Sequence, residues 1–336
     1  MIRFALPLAS LIVASAPAFA QESPSCEIDG PVMFAGLSYD SALFHTKVAQ
    51  FIIKNGYGCE VDALPGSGEV LINALGQGGI DVVMEIWTGN PAPAWVKAEA
   101  DGKAVTLGTS FPTTLEGWFV PTSMVSGPDA VAPGLKAVSD LPDYKELFKD
   151  PEEPDKGRFY NCPAAWVCQN VNTKKLEAYG LTDDYTNFPT GSEAAIVAAA
   201  ESGALRNRPV LFYYWGPTAL LGRHDFTMLE EAPFNQEIWD AMLASDNPTE
   251  ATGYPVSKVV IGANKAFTKE APMLAKFLSS YSNTTEATQK AQAFMAENKD
   301  DSGDLAARNF LMENQIWTDW VPDDVSARVK AALDAS

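Results

Sequence analysis

Short apolar runs alternate with helix-periodic stretches along the chain from residue 32 onward. In the first third of the chain, the apolar runs predict strands, and the stretches between them, with apolar positions three and four apart, predict helices. The predicted strands are Val32–Gly36, Cys59–Leu64 and Ile80–Trp87, and the predicted helices are Ser41–Asn55 and Gly68–Leu75. This alternation of strands and helices predicts a parallel sheet covered by helices.

Two aromatic residues, Tyr39 and Trp87, come just after the ends of predicted strands. In parallel sheets, ligands bind beyond the carboxyl ends of the strands. Both side chains are therefore expected to meet a ligand.

A segment rich in proline and glycine, residues 121–163, interrupts this pattern, and a second alternating unit follows it. The second unit has predicted helices at Asn172–Tyr179 and Glu193–Ser202, predicted strands at Pro209–Trp215 and Val256–Gly262, and a helical pattern from Lys265 to the end. We therefore predict an α/β protein with two parallel-sheet lobes, joined by a hinge, with a ligand cleft between them.

The second lobe is expected to be inserted into the first. Lobe I would comprise residues 21–119 and 258–336, and lobe II would comprise residues 120–257. The chain would cross out of lobe I near Trp118–Pro121 and return near Tyr254–Lys258.

The first twenty residues have the composition of a secretory signal. Arg3 is followed by an apolar run, and Ala18-Phe19-Ala20 fits a cleavage site with small residues on either side of one larger one. The run is too short for a membrane span, and no later stretch approaches the roughly 20 apolar residues that a span needs. We expect cleavage after Ala20 and a soluble protein in the periplasm.

The net charge of the chain is −19, from 43 acidic and 24 basic residues. Nucleic acid binding requires clustered lysine and arginine, and no basic stripe is visible in the sequence. The charge therefore excludes nucleic acid as a partner and suits a soluble exported protein, expected to be a monomer. It does not identify the charge of a ligand, because surface charge and pocket charge are separate properties.

The four cysteines of this exported chain favour disulfides over metal ligation or a thiol nucleophile. Of the three possible pairings, we predict Cys26–Cys59 and Cys162–Cys168. Cys26 precedes one predicted strand and Cys59 opens the next, so this disulfide would join neighbouring strands. Cys162–Cys168 closes a short loop around Trp166, which indicates a geometric role for that disulfide.

Four of the eight tryptophans lie at strand ends or turns, namely Trp87, Trp118, Trp166 and Trp215. The other four, Trp95, Trp239, Trp317 and Trp320, lie in or beside helical patterns and are expected to be packing residues. Any single tryptophan at a strand end could also be a packing residue. The four at turns each adjoin a proline, a glycine or a proposed disulfide, where side chains tend to face a cleft.

A cluster of indole faces attracts cations, and a quaternary ammonium is its natural guest because it cannot donate hydrogen bonds. Sugars also stack on tryptophan, but sugar sites need many polar side chains beside the rings, and these turns carry few. The sequence therefore predicts a site for a methylated amine.

The segments "DVVMEIWTGN", "GWFVPT", "RFYNCPAAWVCQ" and "PVLFYYWGPTALLG" resemble the substrate-binding proteins of ABC importers for glycine betaine and related trimethylated osmolytes. The resemblance implies a type II periplasmic binding protein fold that closes over its ligand, and a membrane permease of a cognate ABC transporter as partner. It also implies that Trp87, Trp166 and Trp215 form an aromatic box. Trp118 would be a fourth wall, as in the subgroup that resembles trimethylamine N-oxide-binding proteins.

The other end of the ligand is expected to meet Glu116, two residues before Trp118. Family members that bind betaine tend to place a histidine or backbone amides at its carboxylate, and neither His45 nor His224 lies in a tryptophan turn. Glu116 would repel a carboxylate, but it could share a hydrogen bond with an N-oxide or accept one from the hydroxyl of choline. A solvated glutamate near the hinge is the alternative.

We therefore predict a binding protein, not an enzyme, with a small trimethylated amine as ligand. Trimethylamine N-oxide is the first choice, glycine betaine or proline betaine the alternative, and choline the third. The predicted ligand-binding residues are Tyr39, Trp87, Glu116, Trp118, Trp166, Tyr214 and Trp215.

Other motifs are less specific. "PGSGEV", residues 65–70, could form an anion-binding nest, although a helix cap is the better interpretation. "NKDDSGDLAARN" and "KDPEEPDKG" contain spaced acidic residues that could hold a structural Ca²⁺, with an inter-helix turn and a solvated linker as the alternatives. No cofactor is expected to be required.

Two further functions remain open from the sequence. A secreted hydrolase using a pair of carboxylates is a distant alternative, since the many acidic residues allow many pairs. A docking protein that uses its aromatic residues as an interface is the third.

Overall fold

The computed structural model describes residue 1 and residues 26–335, apart from residues 90 and 165. Most of the predicted signal peptide, including the cleavage site after Ala20, lies outside the described residues. Among the helices that are described, none combines the length and apolar character needed to cross a membrane.

The strands of the described residues are β1 (Val32–Gly36), β2 (Val61–Pro65), β3 (Val82–Trp87), β4 (Ala104–Phe111), β5 (Leu115–Pro121), β6 (Gly157–Asn161), β7 (Tyr185–Pro189), β8 (Leu211–Gly216), β9 (Phe226–Met228) and β10 (Val259–Asn264).

The α-helices of the described residues are α1 (Asp40–Tyr57), α2 (Gly68–Gln77), α3 (Pro93–Ala100), α4 (Thr122–Val125), α5 (Val167–Ala178), α6 (Glu193–Arg206), α7 (Ala219–Arg223), α8 (Gln236–Ala244), α9 (Phe267–Glu270), α10 (Pro272–Ser280), α11 (Thr285–Asn298), α12 (Asp304–Glu313) and α13 (Asp323–Asp334). Two 3₁₀ helices lie at Val138–Phe148 and Ile316–Trp320.

Two five-stranded sheets form the centres of two lobes, which confirms the two-lobed α/β fold. The strand order is β2-β1-β3-β10-β4 in lobe I and β7-β6-β8-β5-β9 in lobe II. Strands β1, β2 and β3 are parallel, as are β6, β7 and β8, whereas β10 and β5 run antiparallel to their neighbours. The sheets are therefore mixed and not purely parallel as predicted, because β10 and β5 enter their sheets from the opposite lobe.

The chain crosses between the lobes at residues 112–114 and again just before β10. Thr114 and Ser257 pair these two crossings, with the Thr114 amide donating to the Ser257 carbonyl oxygen at 2.9 Å and the Ser257 amide donating to Thr114 Oγ1 at 3.0 Å. The outward crossing was predicted further along the chain, near Trp118–Pro121. Residues 115–119 of β5 pair with β8 of lobe II, so these residues, predicted for lobe I, belong to the second sheet.

The predicted helix at Ser41–Asn55 corresponds to α1, which packs Phe44, Val48 and Ile52 into the core of lobe I. The helix ends at Tyr57 and is capped by Gly58, whose φ of 71° gives the left-handed conformation that glycine adopts without steric cost. The apolar spacing therefore predicted the helix, whereas its end lies two residues beyond the predicted Asn55.

Both predicted disulfides, Cys26–Cys59 and Cys162–Cys168, are confirmed. The first joins Cys26, which precedes β1, to Cys59 in the connection from α1 to β2. Strands β1 and β2 are parallel neighbours, paired from Val32 and Val61 onward. The second closes the turn between β6 and α5.

The four tryptophans expected to be packing residues are buried in the hydrophobic cores. They are Trp95, Trp239, Trp317 and Trp320. Their positions on apolar helical faces were sufficient to identify them.

Candidate functional site

A cavity of about 120 Å³ lies between the two lobes. A single water needs only about 10–15 Å³, so the cavity is large enough for a small organic ligand. Lobe I contributes Leu37, Ser38, Tyr39, Gly66, Gly68, Ile72, Glu85, Ile86, Trp87 and Ala92, and lobe II contributes Glu116, Trp166, Val167, Cys168, Tyr213 and Trp215. The site is therefore completed only when the two lobes approach each other.

Three predicted tryptophans line this cavity, Trp87 from lobe I and Trp166 and Trp215 from lobe II. The ring of Trp166 meets that of Trp215 edge-on, with centroids 5.5 Å apart, and meets Tyr39 across the lobe boundary at 5.3 Å. Three of the four predicted tryptophans thus come together in one hollow, with Tyr39 as a fourth aromatic wall.

The disulfide loop fixes the position of Trp166. Trp166 is the residue before the first turn of α5, between Cys162 and Cys168, and its amide donates to the carbonyl oxygen of Pro163 at 3.2 Å. Asn161 Oδ1 accepts from the amide of Cys162 at 2.7 Å and from Asn172 Nδ2 at 2.9 Å. The loop is therefore held covalently and by a buried amide network, which leaves the indole few alternative orientations.

The predicted fourth wall, Trp118, does not line the cavity. Its ring is fully buried in lobe II, packs on Phe159 at 4.4 Å between centroids, and donates from Nε1 to Asn172 Oδ1 at 2.6 Å. In the sheet, Trp118 pairs with Tyr213, whereas Glu116 pairs with Trp215 at the cavity end of the two strands. The side chain therefore lies on the expected face of β5 but two residues deeper in the lobe.

Tyr214, also a predicted ligand-binding residue, is not among the lining residues. It follows Tyr213 and precedes Trp215 on β8, so strand alternation directs it to the other face. Its hydroxyl donates to Glu193 Oε1 at 3.1 Å, while Glu193 Oε2 accepts from the amide of Asp40 at 3.3 Å. Tyr214 thus supports a contact between α6 of lobe II and α1 of lobe I.

Glu116, one of the predicted ligand-binding residues, lines the cavity and is 8% exposed. The hydroxyl of Tyr213 donates to Glu116 Oε1 at 2.6 Å, and Glu116 Oε2 is buried with no hydrogen-bond partner in the described part of the chain. Burial raises the pKa of Glu116 to about 7. The carboxyl is therefore able to carry a proton at neutral pH, and the unpartnered oxygen is the one left to bear it.

A second buried carboxyl, Glu85, lines the same cavity from lobe I and was not predicted. Glu85 is 3% exposed, and its Oε2 accepts from Trp87 Nε1 at 3.1 Å. Burial raises the pKa of Glu85 to about 8. The sequence held one signal for it, since Glu85 is a charged residue within the apolar run "VVMEIW".

No lysine, arginine or histidine is among the described residues that line the cavity. His45 lies in the core of lobe I, where its Nδ1 is 2.7 Å from the Tyr281 hydroxyl, and His224 follows α7. The positive electrostatic contribution at the cavity comes instead from the start of α5, where Val167 and Cys168 line the hollow. The first amides of a helix lack intrahelical acceptors and favour a negatively charged oxygen.

The weaker motifs have structural positions. Gly66 and Gly68 of "PGSGEV" line the cavity at the start of α2, so this turn contributes backbone to the site. Asp300 accepts from the amides of Gly303 and Ala306, as expected for the inter-helix turn before α12.

Asp150, in the acidic loop, is buried and accepts two hydrogen bonds of 2.9 Å from Arg158. Within the described residues, no group of three or more histidine, cysteine, aspartate or glutamate side chains is arranged to hold a metal ion. A structural Ca²⁺ stays a prediction of the sequence.

Glu116 should lower the stability of the ligand-free protein as the pH rises. The folded protein holds the proton of Glu116 up to about pH 7, whereas an unfolded chain releases it near pH 4.3. Between these values the folded state binds more protons than the unfolded state. The contribution of Glu116 to the free energy of unfolding is therefore complete below about pH 4.3 and is lost as the pH rises through about 7.

The variant Glu116→Gln keeps an acceptor for Tyr213 and cannot ionise. We therefore expect the free energy of unfolding of the variant, relative to the unsubstituted protein, to increase between about pH 5 and pH 8.5. Urea denaturation at several pH values measures this difference, in which the titration of distant groups cancels. A difference that is constant over this range would contradict the raised pKa of Glu116.

Known proteins resemble this chain over most of its length. The sequence pattern of the family OpuAC, the substrate binding domain of ABC-type glycine betaine transport systems, matches residues 30–313. The chain is 29% identical over 195 residues to the glycine betaine/proline betaine-binding periplasmic protein of Escherichia coli strain K12. This match covers 56% of this chain and 58% of that relative. The chain thus spans little more than half of the length of this relative.

Solved structures with similar folds include an ABC-transporter choline binding protein in complex with choline. The match to that structure has a TM-score of 0.71 at 18% sequence identity, and it covers 90% of this chain and 98% of the choline binding protein chain. The match to lactococcal OpuAC, in its closed conformation complexed with glycine betaine, has a TM-score of 0.68 at 16% sequence identity. It covers 88% of this chain and 100% of the OpuAC chain. The fold described above is therefore the one these two binding proteins have.

Proposed function

Because this chain belongs to the OpuAC family, the substrate binding domains of ABC-type glycine betaine transport systems, we propose that it captures a small trimethylated amine in the periplasm and delivers it to a membrane permease. Trimethylamine N-oxide is the proposed ligand. The observation that carries the proposal is the inter-lobe cavity, lined by indoles from both lobes and by a buried glutamate with one unpartnered oxygen.

The aromatic walls account for recognition of the trimethylated nitrogen. Trp87, Trp166, Trp215 and Tyr39 surround one hollow from two lobes. Each ring face that meets the cationic head contributes roughly 0.5–2 kcal/mol, with the larger values in water-free sites. Three or four such contacts can provide the ~8 kcal/mol of micromolar binding, and closure of the lobes strengthens them by excluding water.

Glu116 accounts for recognition of the N-oxide oxygen. Tyr213 donates to Glu116 Oε1, so a proton on this carboxyl resides on Oε2. A protonated Glu116 can therefore donate a hydrogen bond from Oε2 to the oxygen of the ligand, which accepts strongly because it carries negative charge. The pKa of Glu116, about 7, allows this protonation state at neutral pH.

Glycine betaine is the second candidate, because Val167 and Cys168 present the start of α5 to the cavity. Helix N-termini stabilise carboxylates. Against betaine, the same cavity contains the carboxyls of Glu85 and Glu116, which would repel a carboxylate whenever they are ionised. Choline, the third candidate, has no negative charge and could donate its hydroxyl to an ionised Glu116.

A titration series tests the proposed function. Trimethylamine N-oxide, glycine betaine, choline and carnitine are titrated into the mature protein, and binding is read by calorimetry. We expect the tightest binding for trimethylamine N-oxide, and a protein that binds none of these four compounds would contradict the proposal. Native mass spectrometry of protein purified from cells separates a binder, which retains an intact ligand, from a carboxylate-pair hydrolase, which releases products.

Glu116→Gln should change the preference between ligands. The substitution removes the charge that opposes a carboxylate and replaces a carboxylic O–H donor by a weaker amide donor. We expect the affinity ratio of trimethylamine N-oxide to glycine betaine to fall at least about fivefold, as measured by calorimetry. Glu60→Gln, an exposed position of lobe I, is the matched control. An unchanged or increased ratio would reverse the choice of ligand.

A further inference from the structure

Glu85 is a buried acid that the aromatic and N-oxide contacts described above do not require. It lies on β3, two residues before Trp87, so both side chains project from the same face of the strand toward the cavity. The strand is otherwise apolar. A charged side chain in such a position is costly to bury unless it has partners, so its presence calls for a function.

The carboxyl of Glu85 orients the lobe I wall of the cavity. Its Oε2 accepts from Trp87 Nε1 at 3.1 Å, and the hydroxyls of Tyr39 and Ser41 lie close enough to lower its pKa. Tyr39 in turn meets Trp166 of lobe II at 5.3 Å. One carboxyl is thus in contact with the two aromatic residues that lobe I contributes to the box.

The second oxygen of Glu85, Oε1, belongs to a carboxyl that lines the cavity. Oε1 is buried and has no hydrogen-bond partner among the residues that the structure describes, and Glu85 is 3% exposed. On the opposite lobe, Glu116 Oε2 is likewise buried and unpartnered. Two buried carboxyls, one from each lobe, therefore line one hollow, and none of the described lining residues is a lysine, arginine or histidine.

We propose that Glu85 is a specificity-determining residue of this site, which holds the indole of Trp87 in place and, together with Glu116, selects trimethylated amines without a carboxylate over those that carry one. This inference rests on the proposed function and narrows its ligand class. A cationic head beside Glu85 favours the ionised carboxyl, whereas a carboxylate on the ligand would face a like charge from either lobe. The neighbouring carboxylate also makes the hydrogen-bonded indole more electron-rich, which strengthens its attraction for a cation.

Two substitutions separate the charge of Glu85 from its hydrogen bond. Glu85→Gln removes the charge and keeps an acceptor for Trp87 Nε1, and Glu85→Met removes both at similar volume. Choline, trimethylamine N-oxide and glycine betaine are titrated by calorimetry into both variants, the unsubstituted protein and the control Glu60→Gln. Melting temperatures and the indole N–H resonance of Trp87 show whether each variant is folded and whether the ring has moved.

For Glu85→Gln, we expect the affinity ratio of choline to glycine betaine to fall at least fivefold, with the Trp87 ring unmoved. For Glu85→Met, we expect all three ligands to bind at least threefold more weakly, with a shifted Trp87 resonance. A folded Glu85→Gln protein whose ratio stays within twofold of the unsubstituted protein would overturn the role of Glu85 while leaving the proposed function intact. Failure of the unsubstituted protein to bind any of the three ligands would overturn both.

Discussion

Trp166→Ala should weaken binding of the trimethylated ligand at least about tenfold. The ring lies in the hollow between Tyr39 of lobe I and Trp215 of lobe II, so it is in contact with both sides of the closed cleft. Its removal deletes one cation–π contact, worth up to ~2 kcal/mol in a water-free site, and 1.4 kcal/mol corresponds to a factor of ten. The measurement is a calorimetric titration with trimethylamine N-oxide and with glycine betaine.

The loss should exceed that of one ring face, because the alanine leaves a gap through which water reaches the remaining rings. Water raises the local dielectric constant and weakens the electrostatic attraction between the other indoles and the cation. Trp166→Phe keeps an aromatic face at the position, and we expect it to recover part of the affinity. Weaker ligand binding by the alanine variant than by the phenylalanine variant would distinguish a cation–π wall from a purely structural residue.

Trp118→Phe provides the matched control, since Trp118 is a tryptophan of lobe II that lies outside the cavity. We expect this substitution to lower the stability of lobe II, because Trp118 donates a buried hydrogen bond to Asn172, and to leave the affinity within about twofold. A Trp166→Ala protein that is folded and binds with unchanged affinity would remove Trp166 from the site. A large loss of affinity in Trp118→Phe would mean that tryptophan removal acts through the fold.

Removal of the Cys26–Cys59 disulfide should have the largest effect on stability. The two cysteines are 33 residues apart in sequence, and closing a loop of this size restricts the unfolded chain by roughly 3–4 kcal/mol. Cys26→Ala/Cys59→Ala should therefore lower the free energy of unfolding by about this amount, as measured by urea denaturation. Ligand affinity should stay within about twofold, because neither cysteine lines the cavity.

The second disulfide is the matched comparison for the first. Cys162 and Cys168 are only 6 residues apart, so the same entropy argument gives a smaller contribution of roughly 2 kcal/mol. Their replacement by alanine releases the loop that holds Trp166, and ordering that loop again on binding costs free energy for each residue fixed. We expect a loss of affinity of at least about fivefold. The opposite pattern, with affinity lost only in the Cys26–Cys59 variant, would contradict a positioning role for the short loop.

The sequence predicted β1, β2, β3, α1 and α2 of lobe I, because each of these elements carries its own local signal, whereas α3 and β4 of the same lobe were not predicted. The strand Val32–Gly36 has the predicted bounds, and α1 extends the predicted helix by one or two residues at each end. In lobe II the signals were weaker. Strands β5, β6, β7 and β9 were not predicted, since they are short and lie among prolines and polar residues whose strand character depends on pairing with distant partners.

The position of the first crossing between the lobes illustrates the same limit. The apolar run "LEGWFVP" suits a strand in either sheet, and only its pairing partner decides the lobe. In the structure that partner is β8, some hundred residues further along the chain. A local pattern carries no information about such a partner, so the boundary was placed several residues too late.

The sequence by itself determined that this is a two-lobed α/β protein and which cysteines pair. It also placed Trp87, Trp166 and Trp215 at strand ends or turns, whereas Trp118 lies in the middle of β5. These features follow from periodicity, turn residues and spacing, all of which act over a few neighbouring residues. The tertiary structure alone decided that Trp215 borders the cavity while Trp118 lies deeper, and that Glu85 joins Glu116 beside it. Strand alternation fixes the face on which a side chain lies, but its depth depends on the register between strands and on how closely the two lobes approach. Those quantities are set by contacts between residues far apart in the chain.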